Sequence, residues 1–148
     1  MSTHISHGIH ATIQAPVEEV WTVLGAFGDY TWNTLATDVH LVGTAPVDVG
    51  SVRQMHAPDG AAIRERLLEI GPNRRFVYTF DGPAPIPVTS SRTTVRAAPS
   101  TGSPDTSTTV SWAGEYDVAD DDTGRAVEDV NCQVVWPSTI GAWPARSA

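Results

Sequence analysis

The sequence predicts a single α+β domain in which a curved antiparallel sheet of seven strands wraps around a C-terminal helix. Three observations support this fold: an alternating first strand followed by a short amphipathic helix, six further strand-like segments in a row, and one helical segment after them. Along the chain, the order of the elements is β-α-α-β6-α. Because a long antiparallel sheet tends to curl and the last helix is the only long element left to cover it, we expect an internal cavity between them.

The first strand and the helix after it lie at the start of the chain. Apolar and polar residues alternate over Ile5–Ile13, which is the period of a half-buried strand. Pro16 suits the first turn of a helix, where its missing N–H has no partner to lose. Apolar side chains then recur with the spacing i, i+3, i+4, i+7, which buries one stripe of the helix. They are Val17, Val20, Trp21 and Leu24. A second short helical turn is predicted over Asp29–Leu35.

Six segments with strand-like alternation follow, separated by turn residues. The predicted strands are Thr37–Thr44, Gly50–His56, Ala61–Ile70, Arg75–Asp81, Val88–Ala97 and Thr108–Val118. Pro58-Asp59-Gly60 is typical of a hairpin turn. Short strands at this spacing, joined by hairpin turns, predict one antiparallel sheet.

The last predicted element is a helix that follows an acidic start. Asp120-Asp121-Asp122 precedes a helical segment over Ala126–Trp136, in which Val127, Val130 and Val134 lie on one side. Pro137 removes a helical hydrogen bond, so the helix is expected either to kink there or to cover the cavity less completely.

Composition excludes several classes of function. The 148 residues carry a net charge of −8 and no lysine, so the chain lacks the basic face that nucleic acid requires and the amine that Schiff-base chemistry requires. The single cysteine, Cys132, permits no internal disulfide, and neither a signal peptide nor a membrane-spanning run is recognisable. We therefore expect a cytoplasmic protein with no nucleic-acid or membrane partner, while a homodimer is left open.

Four short motifs occur in an order that is typical of one superfamily. They are Ala15-Pro16-Val17-Glu18-Glu19-Val20-Trp21, Phe27-Gly28-Asp29-Tyr30-Thr31-Trp32, Gly50-Ser51-Val52-Arg53 with Ile63-Arg64-Glu65-Arg66-Leu67, and Val110-Ser111-Trp112 with Tyr116. In these motifs, which span about residues 3–118, the chain resembles the START/Bet v 1-like (SRPBCC) superfamily, in particular its polyketide cyclase/dehydrase-type bacterial members. The resemblance implies a helix-grip fold with an internal cavity for a hydrophobic small molecule.

Glu65 is the first candidate catalytic residue. Ile63, Glu65, Leu67 and Glu69 share one face of their strand, but each face holds two apolar and two charged residues, so alternation does not decide which face is inward. The resemblance implies that Glu65 points into the cavity, where it could act as a general acid or base. The alternative is a structural salt bridge to Arg53 on the neighbouring strand. His56 is the spare acid/base candidate.

Aromatic residues supply the remaining candidates. Tyr78 is the second catalytic candidate, because its hydroxyl could hold or polarise a substrate carbonyl. The resemblance places Tyr30, Trp32 and Asn33 near the cavity entrance. The expected substrate-binding residues are Tyr30, Trp32, Asn33, Arg53, Phe76, Phe80, Trp112 and Tyr116.

Metal and cofactor chemistry is not expected. On a strand, His7 points opposite to His4 and His10, so the three histidines cannot converge on one ion. Neither a phosphate-binding loop nor a dinucleotide-binding glycine pattern is present.

Three functions are compatible with these features. The first is a cofactor-independent cyclase, dehydratase or related lyase that acts on a hydrophobic, polyketide-like intermediate by acid/base chemistry. The second is a non-catalytic binder or carrier of an apolar small molecule, and the third is a domain that modulates a protein partner. The first two can be distinguished at Glu65: a free inward carboxylate favours proton transfer, whereas a carboxylate paired with a guanidinium favours structure or binding.

Overall fold

A computed structural model describes residues 2–28, 37–71 and 74–141. The strands are β1 Thr3–Ile13, β2 Thr37–Leu41, β3 Val52–His56, β4 Ala62–Gly71, β5 Arg75–Phe80, β6 Ser90–Pro99 and β7 Thr108–Val118. The helices are α1 Val17–Leu24, α2 Asp121–Val130 and α3 Trp136–Gly141, and a π-helical segment, Asn131–Val135, joins α2 to α3. The second helical turn predicted over 29–35 lies outside the described residues.

The seven strands form one sheet in the order β1-β7-β6-β5-β4-β3-β2. Every neighbouring pair is antiparallel, and β1 closes the far side by pairing with β7 from Thr3↔Val118 to Ile13↔Thr108. The predicted seven-stranded antiparallel sheet is therefore confirmed. The largest difference in length is at β2, which ends at Leu41 and not at Thr44.

A β-bulge in β4 changes which side chains share a face. The register shifts between Leu67 and Glu69, and a bulge of this kind moves the following residues to the opposite face. Glu65 and Leu67 are buried on the concave face, whereas Glu69 forms ion pairs with Arg75 and Arg92 on the other side of the sheet. The expectation that Glu69 shares a face with Glu65 is wrong for this reason.

The hydrophobic core lies between the concave face of the sheet and the helices. Helix α1 contributes one buried stripe, the central strands contribute aromatic side chains, and the C-terminal helical region closes the far side. The residues that define this core include Val20, Leu24, Phe27, Phe76, Trp112, Val127 and Trp136. The concave face is therefore partly filled by packing, and the remaining space is a cavity.

The C-terminal helical region continues through Pro137 as far as Gly141. Its N-cap is Asp120, whose side chain accepts a hydrogen bond of 2.7 Å from the backbone N–H of Thr123. In a regular helix the ring of Pro137 would clash with the carbonyl four residues earlier. The π-helical segment ends two residues before Pro137, and its wider turn gives the ring room.

The π-helical segment also changes which side chains are buried. The buried stripe passes through Val127, Asn131 and Trp136, with steps of four and then five residues. Of the three valines grouped from the sequence, only Val127 is buried, while Val130 and Val134 are 39% and 52% exposed. A regular helical period could not identify this stripe, because one of its steps is the wider π turn.

Candidate functional site

A cavity of about 320 Å³ lies between the concave face of the sheet and the C-terminal helical region. Much of its wall is formed by apolar or aromatic side chains, which include Met55, Ile63, Phe80, Ile86, Trp112 and Trp136. Seven polar side chains also line it: Arg53, Glu65, Tyr78, Thr93, Tyr116, Asn131 and Thr139. Most of these polar groups belong to two clusters.

The first polar cluster is the ion pair between Arg53 and Glu65. The two residues face each other directly across β3 and β4. Arg53 Nε donates to Glu65 Oε1 at 2.7 Å, and the side chains are only 2% and 9% exposed. The salt bridge between Arg53 and Glu65, which the sequence offered as the alternative to a free inward carboxylate, is therefore present. Glu65 also lines the cavity.

Additional contacts hold the Arg53 guanidinium in place. Its Nη1 donates to the backbone carbonyl of Phe27 at 3.4 Å. The guanidinium carbon also lies 4.3 Å from the centre of the Phe27 ring and 5.2 Å from that of Tyr78, which are favourable cation–π distances. The charged pair is thus a fixed part of the cavity wall, and removing either partner would leave the other charge buried.

The second polar cluster joins Thr93, Tyr116, Asn131 and His7. Tyr116 Oη lies 3.2 Å from Thr93 Oγ1, and the Tyr116 ring packs against the His7 imidazole. Asn131 Nδ2 in turn lies 3.0 Å from His7 Nε2. Burial raises the pKa of Tyr116 to about 12, so its phenol stays protonated and neutral at physiological pH.

Gly114 makes the position of Tyr116 possible. The Tyr116 ring folds back over this glycine, where an added Cβ would lie 2.3 Å from Tyr116 Oη. On the other side, the ring stacks on the His7 imidazole with centres 5.2 Å apart. The hydroxyl of Tyr116 is thereby directed to Thr93.

The structure brings several of the predicted site residues together around one cavity. Six of them line it: Arg53, Glu65, Tyr78, Phe80, Trp112 and Tyr116. Phe76 packs instead in the core, with its ring centre 5.9 Å from that of Trp21 and 5.8 Å from that of Phe27. Tyr30, Trp32 and Asn33 lie outside the described residues.

The histidines have different environments. His7 is inward and its side chain is 4% exposed, whereas the His4 side chain is 58% exposed. His56 lies at the end of β3, with its Nδ1 3.6 Å from an Asp38 carboxylate oxygen. Within residues 2–28, 37–71 and 74–141, no group of three or more His, Cys, Asp or Glu side chains could hold a metal ion.

Sequence reasoning did not identify Thr93, Asn131 or His7 as members of the cavity wall or its network. Thr93 has an inward position on β6, which strand alternation could have suggested. Asn131 and His7 lie 124 positions apart in the chain, so no local pattern links them. None of the helices in the described segments is long and apolar enough to cross a membrane.

A sequence model of the family described as polyketide cyclase / dehydrase and lipid transport matches residues 6–140. The chain belongs to this family. The match includes both polar clusters and the whole cavity wall. No curated protein matches the chain.

Solved structures place this polyketide cyclase/dehydrase family member in the helix-grip fold. A solution NMR structure from Thermobifida fusca is 29% identical, with a TM-score of 0.81 over 93% of this chain and 89% of that one. A crystal structure of a protein from Bacillus thuringiensis is 26% identical, with a TM-score of 0.71 over 95% of both chains.

The fold is also that of Bet v 1-like proteins. Norcoclaurine synthase from Thalictrum flavum, in complex with dopamine and hydroxybenzaldehyde, has a TM-score of 0.73 over 95% of this chain and 84% of that one. The two sequences are 17% identical, so this likeness concerns the fold alone.

Proposed function

We propose that this domain binds a flat, hydrophobic small molecule in the cavity and orients it with the Arg53–Glu65 pair. The observation that carries this proposal is the 2.7 Å bond from Arg53 Nε to Glu65 Oε1 on a largely apolar and aromatic cavity wall. A few fixed polar groups in an apolar cavity are typical of sites that bind and orient small molecules.

The ion pair favours orientation of a ligand over proton transfer by Glu65. Glu65 Oε1 already accepts a hydrogen bond from a guanidinium, and taking a substrate proton there would weaken a pair that is buried on both sides. Breaking such a pair costs about 3–5 kcal/mol. A ligand hydroxyl can instead donate to the carboxylate and leave the pair intact.

The cavity is suited to a compact aromatic or conjugated ligand. Its volume of about 320 Å³ is at the lower end of the range of small-molecule sites, which is about 300–1,000 Å³. The rings of Phe80, Trp112 and Trp136 offer flat surfaces against which such a ligand can stack.

Filling the cavity should prevent binding. Ile63→Trp places a large ring in the cavity, since Ile63 lines it, and should lower the affinity for 2-naphthol at least tenfold. The matched control is Ile70→Trp, because Ile70 lies on the same strand and is 50% exposed. Isothermal titration calorimetry of 2-naphthol against the three proteins measures both effects. Equal affinities for all three proteins would place the ligand elsewhere.

A second candidate is a cofactor-independent cyclase, dehydratase or related lyase that acts on a polyketide-like intermediate. It is favoured by one observation: Glu65, Tyr78 and Tyr116 all line the cavity, so a carboxylate and two phenols would face the same ligand. In this function Glu65 transfers a proton and Tyr78 polarises a carbonyl. The family description includes polyketide cyclases and dehydrases, and norcoclaurine synthase is by its name an enzyme of the same fold.

Glu65→Gln tests this second candidate. Glutamine keeps the shape and an oxygen acceptor for Arg53 but cannot take up a proton, so turnover of poly-β-keto thioester substrates should be abolished while their binding is retained. Mass spectrometry of the products measures turnover, and calorimetry measures binding. Turnover that survives the change would remove Glu65 from a catalytic role.

A further inference from the structure

The cavity wall changes from polar to apolar along the β3–β4 hairpin. Three successive inward steps of this hairpin line the cavity: the Arg53–Glu65 pair, the Met55–Ile63 pair, and then Ala57 with Pro58 in the turn. Inward positions on a strand are two residues apart, so each step is about 7 Å long and the ion pair lies roughly 14 Å from the turn. The charged pair is therefore the deep end of this wall, and the side chains between it and the turn are apolar.

The cavity opens at the end of the sheet that carries this turn. Neighbouring strands of the sheet alternate in direction, so the β3–β4 turn, the β5–β6 connection and the end of β7, after which α2 starts, lie at one end. Apolar residues from the turn, from the connection and from the C-terminal helical region line the cavity and are also exposed to solvent. These four residues, which we call the mouth, are Pro58, Pro85, Val130 and Val134.

Val130 and Val134 give the mouth an apolar surface that packing within the domain does not cover. They lie four positions apart, so they are close together on one side of the helical region. Among the exposed large apolar side chains in the described segments, these two alone line the cavity. An apolar group of a ligand placed here would remove that surface from water, which is favourable.

The charges around the mouth disfavour an anionic group there. Asp59 follows Pro58, Asp129 precedes Val130, and both acidic residues are exposed. Within the described part of the chain, Arg53 is the one cationic side chain that lines the cavity, and it lies at the deep end paired with Glu65. A carboxylate at the mouth would be repelled by its neighbours. A neutral donor group is instead suited to the deep end, where the Glu65 carboxylate can accept from it.

We infer that the ligand is amphipathic, with a neutral donor such as a phenol hydroxyl against Glu65 and an apolar chain that runs past Met55 and Ile63 to the mouth. The inference rests on the proposed function, because it assumes that the Arg53–Glu65 pair orients a ring in the cavity. It narrows the ligand to a ring compound that carries a hydroxyl at one end and an alkyl or polyene chain at the other. In this orientation the chain covers Val130 and Val134.

A series of 4-alkylphenols tests the place of the chain. Calorimetry compares 4-ethylphenol, 4-butylphenol and 4-hexylphenol, and the affinity of the wild type should rise about threefold for each methylene that the mouth covers. Val134→Asp places a charge in the mouth, so the gain in affinity from 4-ethylphenol to 4-hexylphenol should shrink at least tenfold. Val134→Thr, which keeps the shape of the side chain, should show a smaller loss in the same direction.

Gln133→Asp is the matched control for the added charge. Gln133 is the exposed neighbour of Val134 and is not among the residues that line the cavity. This variant should keep the full gain of the wild type. A gain in Val134→Asp that equals the gain in Gln133→Asp overturns the inference.

Nuclear Overhauser effects between 4-hexylphenol and the isotope-labelled protein give the orientation directly. The terminal methyl group should be close to the methyl groups of Val130 and Val134, and the ring protons should be close to Phe80. A terminal methyl group close to Trp112, with the ring at Val134, would mean that the ligand binds in the reverse direction and would overturn the inference. If 2-naphthol binds but a longer chain adds no affinity, the inference fails and the proposed function stands. If neither 2-naphthol nor any alkylphenol binds the wild type, the proposed function fails as well.

Discussion

At the scale of single residues, the Arg53–Glu65 pair carries both the proposed orientation of the ligand and a prediction about stability. Both side chains are almost fully buried. When one of them is removed, the charge that remains is therefore left unpaired and without hydration. By contrast, the pair between Arg74 and Glu18 has side chains that are 36% and 75% exposed, and such pairs contribute at most about 1 kcal/mol.

Glu65→Leu should therefore lower the free energy of unfolding by about 3–5 kcal/mol, because it leaves the Arg53 charge buried without its partner. The double variant Arg53→Met/Glu65→Leu should recover most of this loss, since an apolar pair of similar volume needs no partner. Urea denaturation measures these values, and Glu18→Ala, with an expected change below about 1 kcal/mol, is the control. A double variant no more stable than Glu65→Leu alone would mean that the loss does not come from the unpaired charge.

Residue identity alone allowed part of the site to be predicted. Tyr78, Trp112 and Tyr116, which the sequence offered as candidates, line the cavity. Strand alternation could not decide the face of Glu65, because both faces of that strand carry two charges. It also could not anticipate that Glu69 leaves this face at a bulge, since no residue type marks the extra position.

At the scale of elements, the π-helical segment Asn131–Val135 determines how the C-terminal helical region covers the cavity. Its five-residue step moves Asn131 and Trp136 to the buried side and makes room for Pro137. The strands were predictable from a period of two that holds over most of their length. The buried side of the last helix was not, because its period changes within the element.

Pro137→Ala tests the idea that the π-helical segment already accommodates the proline. Replacing a proline by alanine in the interior of a regular helix should raise the free energy of unfolding by about 3 kcal/mol. Here we expect that free energy to change by less than about 1 kcal/mol. Asp129→Pro, at an exposed position within α2, is the contrasting variant and should cost about 3 kcal/mol or more. Denaturant titrations with circular dichroism give both values. A gain of about 3 kcal/mol for Pro137→Ala would show that the proline strains the helix.

At the scale of the whole molecule, the free energy of unfolding should fall at alkaline pH because Tyr116 ionises there. Its pKa is raised from 10.0 to about 12 in the folded protein. A raised pKa means that the unfolded chain loses this proton first, so the stability gained from Tyr116 is complete below pH 10 and is lost as pH rises toward 12.

The wild type should accordingly lose about 3 kcal/mol of stability between pH 10 and pH 12 from this group, since each unit of pKa shift corresponds to about 1.4 kcal/mol. Tyr116→Phe should lose less over the same interval, because it has no phenol to ionise at this position. Urea denaturation at intervals of half a pH unit measures the two slopes. Identical slopes would mean that Tyr116 ionises as easily in the fold as in the unfolded chain.

The pairing of β1 with β7 has a consequence for how the chain folds. Thr3 has no strand partner until Val118 has been made, and His7 meets Asn131 across 124 positions. Contacts between such distant positions close large loops and slow the search for the native state. During synthesis, β2 to β6 can pair in sequence as they leave the ribosome, whereas the first strand must wait. A bound molecule touching Asn131, which contacts His7 of the first strand, would therefore stabilise contacts that form last.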